Sequence, residues 1–206
     1  MQVTIYCMCP IYLHPSKKHL AYVLYQNQEQ PIFYSQKGII KEILINSFKL
    51  LDKMFTLYSK VTAILLQLHQ VQATTDNKQL TRMLQKLRTA LKKHYQCEVA
   101  YFWVREQNNA EAQHYHMVIM LSGHKCQQSK LVDTLAKEAW LSIHPDNFSY
   151  RVKNRIYRVF RSDECRELNA LRMRLSYMAK KEGKIGFAPS TNCYGYSHTK
   201  VRKSCA

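Results

Sequence analysis

Acidic side chains are scarce in this sequence. Fourteen Asp and Glu stand against 31 Lys and Arg, a formal charge of +17. A charge of that size suits a polyanionic partner. Fourteen tyrosines are interleaved with it, offering rings on which unpaired bases stack, which points to single-stranded DNA or RNA. Long apolar runs are also missing. The longest, around Val61 to Leu66, is far too short to cross a bilayer. No basic segment precedes the apolar residues of the N-terminus, so no signal peptide is expected. The seven cysteines are odd in number and form no framework: Cys7 and Cys9 are too close for an ordinary bridge, and no second pair completes a zinc ribbon. These absences predict a cytosolic protein with reduced thiols and no membrane partner. The pattern G-x-x-x-x-G-K-[ST] does not occur, so any strand unwinding must come from elsewhere. Neither repeats nor a low-complexity linker divide the chain.

What is present is enough apolar material for a core, 46% of 206 residues. That predicts one domain of about 120–150 residues with an extension. Residues 1–59 form the extension and carry no recognisable chemistry. Pro10, Pro15 and Pro31 interrupt its first half, and helical spacing of Ile39, Ile43, Leu44, Phe48, Leu51, Met54 and Phe55 predicts a helix from about Gln36 to Ser59. Lys60 to Ala73 reads as a buried strand. A helix follows from Thr74–Asp76, with Leu80, Met83, Leu84, Leu87 and Leu91 on one face. Strands at Glu98–Glu106 and Gln113–Leu121 flank a hairpin loop containing Asn108 and Asn109. A helix over Ser129–Ile143 and one or two strands between Asn147 and Phe160 come next. The last helix runs from about Asp163 to Lys181, with Glu164 and Glu167 at its start and Lys180 and Lys181 at its end; Gly183 and Gly186 close it. The order strand–helix–strand–strand–helix–strand predicts an α+β fold: a split βαβ antiparallel sheet with helices on one side, over residues 60–198, with a basic tail at 199–206.

Chemistry concentrates between Glu106 and His116. On a strand, His114 and His116 point to the same face because side chains alternate. If Glu106 lies across the hairpin from His114, two imidazoles and a carboxylate converge with positions left open, the donor set of a catalytic metal site. Downstream, Tyr177 and Lys180 sit three apart on the last helix and share a face. A tyrosine hydroxyl there can attack a phosphorus while the ammonium stabilises the phenolate or phosphoryl charge.

Glu106, His114-Tyr115-His116 and Tyr177-Met178-Ala179-Lys180 together resemble the motifs of the HUH endonuclease superfamily, and within it rolling-circle replication initiators of filamentous-phage (inovirus) type and their prophage relatives. The stretch Tyr101-Phe102-Trp103-Val104-Arg105-Glu106 leading into the histidines strengthens the likeness, which spans roughly Lys60 to Ser197. The family's first motif falls on Leu66-Gln67-Leu68-His69, where the match is loosest. The resemblance implies an RRM-like sheet, Glu106, His114 and His116 as ligands of Mg2+ or Mn2+, Tyr177 as nucleophile and Lys180 as charge stabiliser, with Lys181 as its substitute. It implies nicking of a single-stranded DNA origin in a bacterial host cell, a 5′-phosphotyrosine intermediate, a free 3′-OH, and host helicase and polymerase as partners. Arg151, Lys153, Arg155, Arg158 and Arg161 are the candidates for DNA phosphate contacts. Glu111 is a rival third ligand, Tyr157, Tyr194 and Tyr196 are the candidates for a second nucleophile, and Arg105 is either a solvated strand residue or part of the site. Two other functions compete: a metal-dependent hydrolase using water and Zn2+, and a non-catalytic nucleic-acid-binding regulatory protein.

Overall fold

Residue alternation along three long strands sets the centre of the molecule. The computed structural model describes residues 10–107, 111–162, 166–184 and 191–199. Asn108, Asn109, Asp163, Glu164, Gly186 and the basic tail beyond Thr199 lie outside the described residues. The elements are β1 (Ile11–Leu13), β2 (Leu20–Tyr25), β3 (Gln28–Phe33), α1 (Lys41–Leu57), β4 (Lys60–His69), α2 (Lys78–Tyr95), β5 (Ala100–Glu106), β6 (His114–Ser122), α3 (Lys130–Leu141), β7 (Phe148–Tyr150), β8 (Ile156–Phe160), α4 (Arg166–Met178) and β9 (Tyr194–Tyr196).

The main sheet has the order β7-β4-β6-β5-β9, all antiparallel, with β8 also paired to β4. β7 and β8 are two pieces of one interrupted edge strand. β7 meets the end of β4 at Gln67–His69, while β8 meets its beginning at Lys60–Ile64. The α+β fold and split βαβ order expected from the sequence are therefore present, with β4 and β6 central. α2 and α3, the helices of that pattern, cover one face. Leu84, Leu87, Val132 and Trp140 pack there on Ile64, Leu66, Tyr115, Met117 and Ile119.

The opposite face is covered only in part. Val61, Ala63, Leu65, Phe102, Val118 and Met120 pack against Leu44, Phe48 and Leu51 of α1 and against Leu171 and Leu175 of α4. Beyond that cover the same face continues as Gln67, His69, His114, His116 and Glu106. The apolar side chains end where the polar ones begin.

Two segments were not anticipated. β1, β2 and β3 form a separate three-stranded meander, joined at β2–β3 by a two-residue turn with Gln26 and Asn27 both at positive φ. β9 adds an edge strand beside β5. The meander docks on α4: the Phe33 amide donates to Ser176 Oγ at 2.7 Å, and the Phe33 ring meets Tyr177 edge-on at 5.1 Å.

Candidate metal and nucleophile site

Tyr115 explains why the two histidines face outward together. Its side chain is fully buried between α2 and α3, edge-on to Trp103 and Trp140, and its hydroxyl donates to Asn77 Oδ1 at 3.2 Å. With Tyr115 pinned inside, alternation turns His114 and His116 to the other face. The hairpin register pairs Glu106 directly with His114, as the metal-site reading required. Nε2 of His116 lies 3.4 Å from Glu106 Oε2, and Nε2 of His114 lies 3.8 Å from it.

Glu106 is completely buried and is held from its other side by a residue that the sequence reading missed. Lys184 Nζ donates to Glu106 Oε1 at 2.7 Å and to the Lys180 carbonyl at 2.9 Å. Lys180 Nζ lies 3.1 Å from Glu106 Oε2 and 3.1 Å from the Tyr177 hydroxyl. One ammonium therefore spans the carboxylate and the phenol. Lys181, the expected substitute for Lys180, is exposed instead.

Burial alone would raise the Glu106 carboxyl, but the His116 contact and the Lys184 charge outweigh it and hold it at about 2. Burial, helped by the charge of His116, pulls His114 down to about 4 even though Glu106 pushes it up. Burial also depresses the Lys184 ammonium, whereas at Lys180 the attraction of Glu106 and Tyr177 overcomes burial and raises it. At neutral pH the site thus holds an ionised carboxylate and a neutral His114, the protonation states that ligate a metal.

Glu106, His114 and His116 could hold a metal ion: one donor atom from each lies within 4.8 Å of the others. Glu106 Oε2 makes no hydrogen bond of good geometry although the Lys180 ammonium lies 3.1 Å from it, which leaves its lone pairs free to ligate a cation. Two imidazoles and one carboxylate are the donor types that suit a first-row divalent ion, and they would leave further positions open.

Acid should weaken the metal-free fold through these same groups. Both folded values lie below the ordinary 4.5 and 6.5, so on acidification the unfolded chain takes up protons first. The His114 contribution is whole above about pH 6.5 and is lost as pH falls toward about 4, and Glu106 adds a second loss from 4.5 toward about 2. Urea unfolding in chelator should show stability nearly flat just above the first window, then falling across it by about 3 kcal/mol at most, less to the extent that solvent screens the partly exposed ring. His114→Gln should flatten that fall; an unchanged slope in this variant would assign it to other groups.

The remaining candidates are scattered. Arg151 and Lys153 are exposed in the loop after β7. Arg155 is buried in an ion pair with Asp133 of α3, so its guanidinium ties the interrupted edge to the helix layer and is already engaged. Arg158 is exposed but pairs with Thr62, five residues along β4 from Gln67, about 16 Å at 3.3 Å per residue. Arg161 donates to the Phe55 carbonyl at 3.3 Å. Glu111 is exposed and apart from the metal group. Arg105 is neither solvated nor in the site: it is buried and binds the Asp76 and Thr74 carbonyls. Tyr157 packs against the core, the Tyr194 hydroxyl is bonded to Glu42, and Tyr196 stacks on Phe102.

A further basic residue beside Tyr177, which the sequence reading missed, is Arg174, whose guanidinium lies 5.7 Å from the centre of the Tyr177 ring. It lines a cleft of about 140 Å³ together with Gln67, His116, Val152 and Tyr177. Its position three before Tyr177 on the same helix was the available signal. Lys184 gave none, because it follows the helix beyond Gly183, which turns the chain at φ 75°.

Among the described residues, no helix is long and apolar enough to cross a membrane, and Cys97, Cys126 and Cys193 are free. No curated protein and no solved structure matches the chain. A family model described as YagK/YfjJ C-terminal domain matches residues 25–197, so the matched segment takes in β3 and α1 as well as the main sheet.

Proposed function

We propose, for a chain that belongs to the YagK/YfjJ C-terminal domain family, a metal-dependent nicking and rejoining of single-stranded DNA of the HUH type, serving rolling-circle replication from an origin in a bacterial host. The observation that carries this reading is the bridge made by Lys180 between the Tyr177 hydroxyl and the carboxylate of the Glu106–His114–His116 group. A nucleophile, a charge stabiliser and a cation site meet on one face of the sheet.

A divalent ion held by Glu106, His114 and His116, with Mn2+ at least as suitable as Mg2+ for imidazole donors, would polarise the oxygens of the scissile phosphate. The protein's own groups do the rest. Tyr177 is steadied by Phe33 and sits edge-on to His116 at 6.3 Å. Its oxygen attacks phosphorus, the bond from phosphorus to the 3′ oxygen breaks, and the phenolic proton ends on that leaving oxygen. The 5′ phosphate stays on Tyr177 and a free 3′-OH is left for a host polymerase. Lys180, kept protonated by Glu106 and Tyr177, favours the phenolate as it forms. Arg174 offers its charge at the mouth of the cleft. Because the phosphotyrosine bond keeps the phosphodiester's energy, rejoining needs no ATP. Unwinding falls to a host helicase.

The test is incubation with end-labelled single-stranded origin-region DNA and Mn2+, read on a denaturing gel. A retarded, protease-sensitive band that chelator abolishes is the expected result. Cleavage without an adduct would replace this reading with a water-using hydrolase. Intact but bound DNA would leave a non-catalytic binding protein.

A further inference from the structure

The polar part of the sheet face does not stop at the metal group. Strand register lays out two straight rows across it. One row runs Phe148, His69, His114, Glu106, and the other runs Tyr150, Gln67, His116, Val104. The face that carries the metal donors therefore continues, strand by strand, to two aromatic residues on the outer edge.

Their rings are organised. His69 lies nearly parallel to His114 on one side, 7° apart with centroids at 5.1 Å, and nearly parallel to Phe148 on the other, 11° apart at 4.9 Å. Tyr150 stands perpendicular to both His69 and Phe148, at 4.8 and 5.3 Å. The slab is fixed from below. The Gln67 amide and the His69 ring nitrogen are 3.0 Å apart, and the indole of Trp140 donates to the His69 carbonyl at 2.9 Å. Buried Asn147 ties down the start of β7 by accepting from the Val71 amide at 3.2 Å.

The outer end of this slab is open: Phe148 is 45% and Tyr150 58% exposed. Exposed rings on an unpaired edge strand invite aggregation, so their presence there needs a compensating partner. The surrounding charge selects it. From Asn147 to Arg161 the sequence has no acidic residue and five basic ones, of which Arg151 and Lys153 are exposed directly after Tyr150.

We propose that Phe148 and Tyr150, backed by His69, form a stacking platform that holds the bases immediately next to the scissile phosphate of a single-stranded nucleic acid, with Arg151 and Lys153 on its backbone. This rests on the nucleic-acid reading of the metal and tyrosine site and adds where the strand lies. It runs from the β7 edge across His69 to His114, with the platform holding one or two bases to one side of the break.

The experiment is binding of a single strand carrying 2-aminopurine at successive positions, in chelator so that no cleavage intervenes. Adduct formation with Mn2+ at saturating strand is measured in parallel. In the wild type, fluorescence should be quenched at one or two adjacent positions beside the cleavage site. Phe148→Ala/Tyr150→Ala should lose that quenching and bind about tenfold or more weaker, with a thermal midpoint lowered by no more than about a few degrees because both rings are half-exposed on an edge strand. Phe148→Trp/Tyr150→Phe should restore both. Wild-type affinity in the double alanine variant, with adduct still forming, would overturn the platform and leave the nicking reading intact. Lost quenching and affinity in a protein that forms no adduct would keep the platform and remove the nicking reading. A wild-type dimer that splits in the double variant, with strand affinity unchanged, would make the patch a contact between copies of the chain and overturn the platform.

Discussion

Tyr177→Phe should abolish the covalent DNA adduct, lowering nicking by about four orders of magnitude or more, as expected when an attacking atom is removed outright. The fold should be nearly untouched. Phenylalanine keeps the ring that meets Phe33 edge-on and loses only the hydroxyl bonded to Lys180, one hydrogen bond of about 1 kcal/mol. Strand binding should likewise be retained, since the metal donors and the β7 edge stay in place. Adduct yield, thermal midpoint and affinity measured on the same preparation separate these quantities. A variant that cleaves at the wild-type rate would show that water, not Tyr177, is the nucleophile. Lys180→Met should give an intermediate loss that shrinks as pH rises, because the phenol must then ionise without a neighbouring ammonium.

The second large effect should come from Lys184, which is buried away from solvent. Its side chain is 1% exposed and hydrogen-bonded to a carboxylate exposed no more than itself. Methionine fills similar space without the charge. Lys184→Met would leave the Glu106 carboxylate buried with Oε1 unpaired, and removing one partner of a buried pair costs about 3–5 kcal/mol. The same change frees the carboxylate to rotate, so metal affinity should fall about 10–100-fold, as happens when groups orienting a ligand are lost. Two controls identify the cause. Glu106→Gln/Lys184→Met should be more stable than Lys184→Met alone, because it removes the stranded charge together with its partner. Saturating Mn2+ should recover part of the stability of Lys184→Met by mass action but none of that of the double variant. Equal stability of the single variant and the wild type in chelator would show that Lys180 alone suffices to neutralise Glu106.

The candidate metal donors were legible in the sequence because each rests on a short-range rule. Alternation put His114 and His116 on one face, and a hairpin of the right length put Glu106 opposite His114. The pairing of Tyr177 with Lys180 followed from helical spacing, although α4 ends at Met178 and Lys180 lies just beyond it. The rest depended on contacts between distant segments. Lys184 enters the site by a turn after the helix, and no periodicity marks it. The β1–β3 meander escaped detection because its hairpin uses Gln26 and Asn27 at positive φ where Asn-Gly is the usual signal, and because Pro31 lies inside β3, which its place at the sheet's edge permits. Gln67 and His69 do alternate in the sequence, but only the β4–β6 register, which sets Gln67 against His116 and His69 against His114, reveals that they extend the face carrying the two histidines and Glu106. The basic residues between 151 and 161 read as one cluster along the chain. An interrupted edge strand distributes them over different surfaces.

The bond from the Phe33 amide to Ser176 joins residues 143 positions apart. That span bears on when, during synthesis, the candidate site exists. Domains fold as their residues leave the ribosome, and a chain grown only as far as β8 already has both histidines and Glu106 but has neither Tyr177 nor the Lys180 and Lys184 ammoniums that neutralise the carboxylate. An early segment, β3, must then wait for nearly the last, α4, before Tyr177 is seated. A polypeptide that stalls or is clipped before α4 thus carries the two histidines and the glutamate without the tyrosine and the lysines that complete the group, so the site proposed to cut DNA comes into being only when synthesis is nearly done.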